Sequence, residues 1–75
     1  MTPEEVIGRV FGVDPATLDD STPSGGVEGW DSLGHVNLVL ELEATYGISL
    51  SPDAALRMKS VGSIKDVLQA HGARW

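Results

Sequence analysis

Ser32 is the residue of this chain whose position best suits covalent chemistry. A polar, glycine-rich segment meets the start of an amphipathic helix pattern there, within the run Gly29-Trp30-Asp31-Ser32-Leu33. Backbone N–H groups at a helix start lack partners within the helix, and the helix dipole is positive there. These groups would stabilise a phosphate attached to Ser32. The pattern predicts a hydroxyl presented for modification; the alternative is a serine that merely belongs to a helix cap.

Few other groups of the chain could do chemistry. Asp31, Ser32 and His35 are the residue types of a hydrolase triad, but they lie on neighbouring turns of one predicted helix, with no second element to orient the histidine. We expect His35 to be a packed, hydrogen-bonded core residue and His71 to lie at a helix C-terminus, where its charge is favourable. The histidines lack metal-ligand spacing, and the carboxylates form no calcium-binding loop. We therefore expect neither an enzyme nor a metal site.

The elements that must position this serine are predicted to form an all-α bundle of three main helices plus a short fourth helix. A capping box of Thr2 and Glu5 begins the first helix, over residues 3–11. The strongest helix pattern spans residues 32–46 and ends before a glycine. Because Asp31 is its predicted N-cap, the serine hydroxyl after it stays free to point outward.

The segments between and after these helices are predicted from the positions of glycine and proline and from the spacing of apolar residues. Residues 12–31 read as a long loop, which we expect Leu18, Val27 and Trp30 to anchor. A buried connector at Ile48 and Leu50 follows the motif helix, and a short helical turn then runs from Ser51 to about Met58. The last helix is capped by Ser60 or Ser63 and runs to about Ala70.

The motif helix carries two apolar faces when its residues are placed at about 100° intervals. The face expected to pack on the core carries His35, Leu38, Val39, Leu42 and Tyr46. The second face lies on the side of Ser32 and carries Leu33, Val36 and Leu40, with Glu43 beside them. We interpret the second face as a docking surface for partners. The alternative is a bundle that wraps this helix more fully and buries both faces.

Composition and charge limit the remaining possibilities. The chain has 75 residues, no cysteine and a net charge of -6, with no Lys or Arg between Arg9 and Arg57. This acidic balance excludes nucleic acid as a partner and favours proteins with basic patches, although it could also serve solubility alone. No apolar run reaches membrane-spanning length, and residues 1–12 do not resemble a signal peptide. We expect a cytoplasmic protein that does not bind membranes.

The chain resembles the acyl carrier protein family over nearly its whole length. The resemblance is carried by a helix-starting motif in the run Gly29-Trp30-Asp31-Ser32-Leu33-Gly34-His35-Val36, and by the order of helices and loops around it. It implies that Ser32 carries 4'-phosphopantetheine, added from coenzyme A by a phosphopantetheinyl transferase that Asp31 helps to recruit. The arm would hold an acyl group as a thioester and shuttle it between enzymes. The positions that match the family's partner-docking surface are Leu33, Val36, Leu40 and Glu43, and Arg57 and Met58 are expected to join them.

Details of the motif helix indicate a particular kind of carrier. Gly34, Asn37 and Ala44 stand where carriers of fatty acid synthesis usually have carboxylates, and the Trp-Asp-Ser-Leu form followed by Gly-His is more similar to discrete carriers of polyketide or hybrid natural-product pathways. The implied partners are an acyl-loading ligase or acyltransferase and a ketosynthase or other acyl-transfer enzyme. From its ends we expect residues 1–75 to be one free-standing, monomeric carrier domain. The alternatives are a fatty acid synthesis carrier and an unmodified helical interaction module.

Overall fold

Four α-helices build the fold in the computed structural model, which describes all 75 residues. The helices are α1 (Pro3–Phe11), α2 (Ser32–Tyr46), α3 (Pro52–Leu56) and α4 (Val61–Ala70), and two short 3-10 turns, Pro15–Thr17 and Ser24–Gly26, interrupt the long connection before α2. The predicted all-α class is confirmed. The short helix ends two residues earlier than the sequence suggested. None of the helices is long and apolar enough to cross a membrane.

Local capping explains where the helices begin. The Thr2 hydroxyl accepts a hydrogen bond from Glu5 N–H at 3.2 Å, and the Glu5 carboxylate accepts one from Thr2 N–H at 2.9 Å. Ser60 caps α4, and the Ser63 hydroxyl oxygen accepts a hydrogen bond from Ser60 N–H at 2.8 Å. The sequence left open which serine caps α4; the two form one reciprocal capping box.

The core lies where the inner faces of the four helices meet. Its largest fully buried side chains are Ile7, Leu38, Leu42, Met58, Ile64, Leu68, Val6 and Val61. The predicted connector residues Ile48 and Leu50 are only partly buried, and they pack against this core from its edge. The connector was predicted to be buried, and it is buried only in part.

Buried apolar side chains and backbone hydrogen bonds both hold the long connection between α1 and α2 against the bundle. Val27 and Trp30 are buried and Leu18 is half-buried, as expected for anchoring residues. Backbone hydrogen bonds then attach the loop to the start of α4, from Ser24 N–H to Lys59, from Val61 N–H to Thr22 and from Gly62 N–H to Asp20, at 2.9–3.0 Å. A loop of this length is compatible with a compact domain because it is fixed along its course.

A single lysine joins three parts of the chain at the surface. Lys65 Nζ of α4 lies 2.7 Å from a carboxylate oxygen of Glu4 in α1 and 2.7 Å from one of Asp20 in the long loop. The Asp20 and Glu4 carboxylates accept its N–H groups and raise the pKa of Lys65. The two ion pairs therefore link the loop, α1 and α4 at the surface of the molecule.

Candidate functional site

The start of α2 leaves the Ser32 hydroxyl free. Asp31 Oδ1 accepts a hydrogen bond from Gly34 N–H at 2.8 Å, and the Asp31 carbonyl accepts one from His35 N–H at 2.8 Å. Ser32 is exposed and its Oγ makes no hydrogen bond within the chain, and the N–H groups of Ser32 and Leu33 also have no acceptor there. An oxygen-rich group bonded to Ser32 Oγ would meet donors that nothing else uses. The prediction that Asp31 is the cap is confirmed.

Two glycines allow this helix start to pack closely on the rest of the molecule. Gly29 has φ of 88°, a left-handed conformation that a glycine adopts without strain. Gly34 is buried, and a Cβ there would fall on the Gly29 carbonyl oxygen and lie 2.8 Å from Phe11 Cε1. The first turn of α2 is thereby held directly against α1 and the loop that precedes it.

Trp30 and His35 connect this helix start to two other helices. The buried Trp30 indole stacks on Phe11 of α1, with ring centroids 5.7 Å apart, and lies edge to edge with the nearly parallel ring of His35 in α2, with centroids 6.3 Å apart. Trp30 Nε1 donates a hydrogen bond to His35 Nδ1 at 2.9 Å, and His35 Nε2 lies 2.8 Å from the Ala55 carbonyl oxygen of α3. The prediction that His35 is hydrogen-bonded is confirmed, but the residue is half-buried and lies outside the core cluster.

This arrangement argues against a hydrolase at Ser32. Both ring nitrogens of His35 already have partners, and neither partner is Ser32. The Asp31 carboxylate caps the helix and does not contact the imidazole. A general base must be within hydrogen-bond reach of the proton it removes, and His35 is not bonded to that hydroxyl.

An open groove of about 620 Å³ separates the start of α2 from α3. Residues from both of its sides include Ser32, His35, Val36, Ala55, Leu56 and Lys59. Ser32 therefore lies at the edge of a largely apolar surface depression that is open to solvent. A flexible group attached to the hydroxyl could either extend into solvent or lie along this depression.

The second apolar face of α2 is exposed. Leu33, Val36 and Leu40 are 72%, 54% and 58% exposed, so the alternative in which the bundle buries both faces was wrong. Leu56 of α3 is 70% exposed across the groove and belongs to the same apolar surface, although it was not among the docking residues predicted from the sequence. Its position two residues after Ala54, the buried residue of this short helix, is the signal that could have identified it.

The other predicted docking residues occupy different environments. Arg57 is exposed and forms no ion pair, so it remains available to a partner. Met58 is a correction: it is 1% exposed and belongs to the core, because the chain turns inward there before α4. Glu43 is half-buried and its Oε2 accepts a hydrogen bond from Leu50 N–H at 2.8 Å, so it also stabilises the connector after α2.

Known proteins share both the sequence pattern and the fold. A family model described as a phosphopantetheine attachment site matches residues 4–68. Among solved structures, the chain is similar to a holo acyl carrier protein from Geobacter metallireducens determined by solution NMR, with 29% sequence identity and a TM-score of 0.80. That match covers 91% of this chain and 78% of the other. The matched segments include the start of α2 with its exposed hydroxyl.

Proposed function

The chain belongs to the acyl carrier protein family, and from that premise we propose that Ser32 is the residue to which its cofactor is attached. The cofactor of the family is covalent 4'-phosphopantetheine, and the protein is a carrier with a phosphopantetheine attachment domain. The observation that carries the proposal is the exposed Ser32 hydroxyl, which lies at a helix start whose first N–H groups are free.

The residues at this helix start fit a phosphodiester. Loading would form a bond between Ser32 Oγ and the phosphorus that bears pantetheine in coenzyme A, and break the pyrophosphate bond of that molecule. The hydroxyl proton would pass to a base of the transferase, and adenosine 3',5'-bisphosphate would leave. The unpaired N–H groups of Ser32 and Leu33 would then face the phosphodiester charge. The bound cofactor supplies a thiol that holds an acyl group as a thioester.

The protein itself would bind and present its cargo without catalysing a reaction. His35 has no free ring nitrogen to act as a base, and the structure contains no cluster of His, Cys, Asp or Glu that could hold a metal. The acyl-transfer chemistry would therefore belong to partner enzymes. We propose these to be a phosphopantetheinyl transferase, an acyl-loading ligase or acyltransferase, and a ketosynthase or similar acyl-transfer enzyme.

The proposed docking surface consists of Leu33, Val36, Leu40, Glu43, Leu56 and Arg57. Its apolar members are exposed beside Ser32, and the only carboxylates of α2 are Glu41 and Glu43, near its far end. A partner could cover this apolar surface while it reaches the serine. A small surface of this kind suits brief encounters, because a carrier must leave each enzyme after transfer.

We place this carrier in polyketide or hybrid natural-product biosynthesis. The support is the scarcity of carboxylates on α2 next to the serine, together with the Trp-Asp-Ser-Leu-Gly-His sequence. Loading by a natural-product ligase, and poor use by enzymes of fatty acid synthesis, is the expected result. Efficient use by the fatty acid enzymes alone would place the protein in that pathway instead.

Intact-mass measurement tests the attachment site. The chain is incubated with coenzyme A and a broad-specificity phosphopantetheinyl transferase, and we expect it to gain the mass of one 4'-phosphopantetheine. Ser32→Ala should gain nothing, whereas Ser49→Ala, which removes another exposed hydroxyl, should load normally. Mass gain by folded Ser32→Ala, or none by the parent chain, would reject the proposal.

A further inference from the structure

His35 is held between two groups that fix its protonation. The Trp30 indole nitrogen can only donate a hydrogen bond, so His35 Nδ1, 2.9 Å away, must accept and carries no proton. The Ala55 carbonyl oxygen can only accept, so His35 Nε2, 2.8 Å away, must donate. Satisfying both bonds requires the neutral imidazole with its proton on Nε2.

These two bonds connect the segment before Ser32 to the opposite side of the groove. Trp30 is two residues before Ser32 and is fixed between Phe11 and the imidazole, while Ala55 belongs to α3. His35 is in the first turn of α2. The ring is therefore a direct polar link between the helix that carries the serine and α3.

Acid would break this link for a geometric reason. A proton on His35 Nδ1 would point at the Trp30 N–H, and two donors cannot share one hydrogen bond. Trp30 is buried, so the imidazole is the group that must move, and Ala55 of α3 then loses its donor as well.

The charged groups around the imidazole do not replace the lost bonds. Its direct partners, Trp30 and Ala55, are uncharged. Asp31 and Lys59 line the same groove with opposite charges, and neither is hydrogen-bonded to the ring. The charged residues of and just after α3, Asp53 and Arg57, are exposed and lie outside the groove lining, as does Glu28 of the preceding loop.

We propose that His35 is a positioning residue for the loading of Ser32: as the neutral Nε2–H imidazole it holds α3 and Trp30 against the start of α2, and its protonation releases that hold. This inference rests on the proposed function of Ser32. It adds a dependence on pH, because a proton on His35 Nδ1 would oppose the Trp30 N–H and break the link. Lower pH should make the serine a poorer substrate while the helical core stays intact.

The first experiment examines the link directly and does not depend on loading. Nitrogen-15 NMR of the intact chain at about pH 7.5 should show the Nε2–H tautomer of His35 and a slowly exchanging indole N–H of Trp30. Trp75→Phe removes the other indole and so assigns the Trp30 signal. At about pH 5 we expect lower protection factors, that is, exchange corrected for its intrinsic dependence on pH, for that N–H and for the α3 amides. An Nδ1–H tautomer, or an indole protection factor unaffected by acid, would overturn the inference.

The second experiment measures the rate at which one transferase loads the parent chain and His35→Gln from coenzyme A, at several values between about pH 7.5 and about pH 5. The rate of the parent chain is divided by the rate of the variant at each pH. The ratio cancels the pH dependence of the transferase, and glutamine keeps an acceptor and a donor that do not titrate. We expect the ratio to fall about threefold to tenfold, the range of a lost hydrogen bond. A flat ratio would overturn the inference while leaving attachment at Ser32 intact.

A second variant keeps the test decisive if His35→Gln folds poorly. Trp30→Phe retains an aromatic ring but removes the N–H that opposes a proton on His35 Nδ1. Its loading rate relative to the parent chain should therefore rise as the pH falls. A relative rate that stays constant or declines with acid would contradict the role assigned to His35. If no chain gains mass at Ser32, the proposed function fails, and the NMR measurement alone decides the inference.

Discussion

Asp31 caps α2 by accepting the Gly34 N–H at 2.8 Å, and this leaves the neighbouring Ser32 hydroxyl without any hydrogen bond. Serine and aspartate can both cap a helix, but here only Asp31 does so, and Ser32 keeps a free hydroxyl. One begins the helix, and the other is exposed to solvent at its first position. A serine used as the cap would have its oxygen occupied by a backbone donor.

Substitutions at Asp31 should separate its capping role from its proposed recognition by the transferase. Asp31→Ala should lower the free energy of unfolding by about 0.5–2 kcal/mol, because Gly34 N–H loses its acceptor. Asp31→Ser keeps an acceptor but removes the charge, so it should be nearly as stable as the parent chain and load more slowly. Urea unfolding and intact-mass kinetics measure the two effects. Normal loading of Asp31→Ser would limit this residue to capping.

Gly34→Ala should destabilise the protein although alanine favours helices. Its Cβ would meet the Gly29 carbonyl oxygen and the Phe11 ring, and relieving such overlap typically costs about 1–3 kcal/mol. Asn37→Ala, at an exposed position of the same helix, should leave the stability unchanged or slightly higher. Thermal unfolding of both variants makes the comparison. Equal stability of Gly34→Ala and the parent chain would show that α2 can move away from the loop.

Glu43 should contribute to stability as well as to docking. Glu43→Lys removes the acceptor of the Leu50 N–H and should lower the free energy of unfolding by about 1–3 kcal/mol. Glu43→Gln retains an oxygen at that position and removes only the charge, so it is the variant that tests docking. We expect Glu43→Gln to remain folded and to slow acyl transfer to a partner. Unchanged transfer would remove Glu43 from the docking surface.

Neighbouring leucines of α2 should respond in opposite ways. Leu42 is fully buried, and Leu42→Ala should cost about 2–5 kcal/mol of stability by leaving a cavity. Leu40 is mostly exposed, so Leu40→Asp should alter stability by less than about 0.5 kcal/mol and reduce transfer to partner enzymes. Denaturant unfolding and transfer rates distinguish the two. Transfer by Leu40→Asp at the parent rate would contradict the proposed docking surface.

Alkaline pH should weaken the fold through Tyr46. Partial burial, together with the Glu4 and Glu5 carboxylates, raises the pKa of Tyr46 to about 12, and its hydroxyl donates to the Met1 carbonyl at 2.7 Å. The folded state therefore holds the phenol proton more tightly than the unfolded state, whose pKa is about 10. This contribution is complete below about pH 10 and is lost as the pH rises toward about 12.

Tyr46→Phe provides the comparison for the alkaline measurement. It lacks the ionising hydroxyl, so the difference in unfolding free energy between the parent chain and this variant should shrink from about pH 10 upward. A difference that stays constant over this range would show that the phenol ionises equally in both states.

The helix starts and the cap at Asp31 could be predicted because their signals are local. A capping side chain and the N–H it accepts are two or three residues apart, as for Thr2 and Glu5. The second apolar face of α2 could be identified from the same short-range periodicity, whereas its exposure is shown by the structure.

The remaining details depend on contacts between distant segments. The burial of Met58, the bond from Leu50 to Glu43 and the second partner of His35 on α3 arise only when separate helices meet. Periodicity along one helix carries no information about which backbone carbonyl will lie beside a histidine ring. For the same reason Met58 rather than Leu56 was predicted to be a surface residue near α3.

The backbone hydrogen bonds between the long loop and the start of α4 have a consequence for the order of folding. They join residues roughly 40 positions apart, such as Thr22 and Val61, so they form only after the intervening helices have brought these segments together. We therefore expect the loop that leads into Ser32 to be among the last segments to become ordered. Newly made chains would offer the transferase an ordered serine only once the bundle is complete, so loading would select against misfolded carriers.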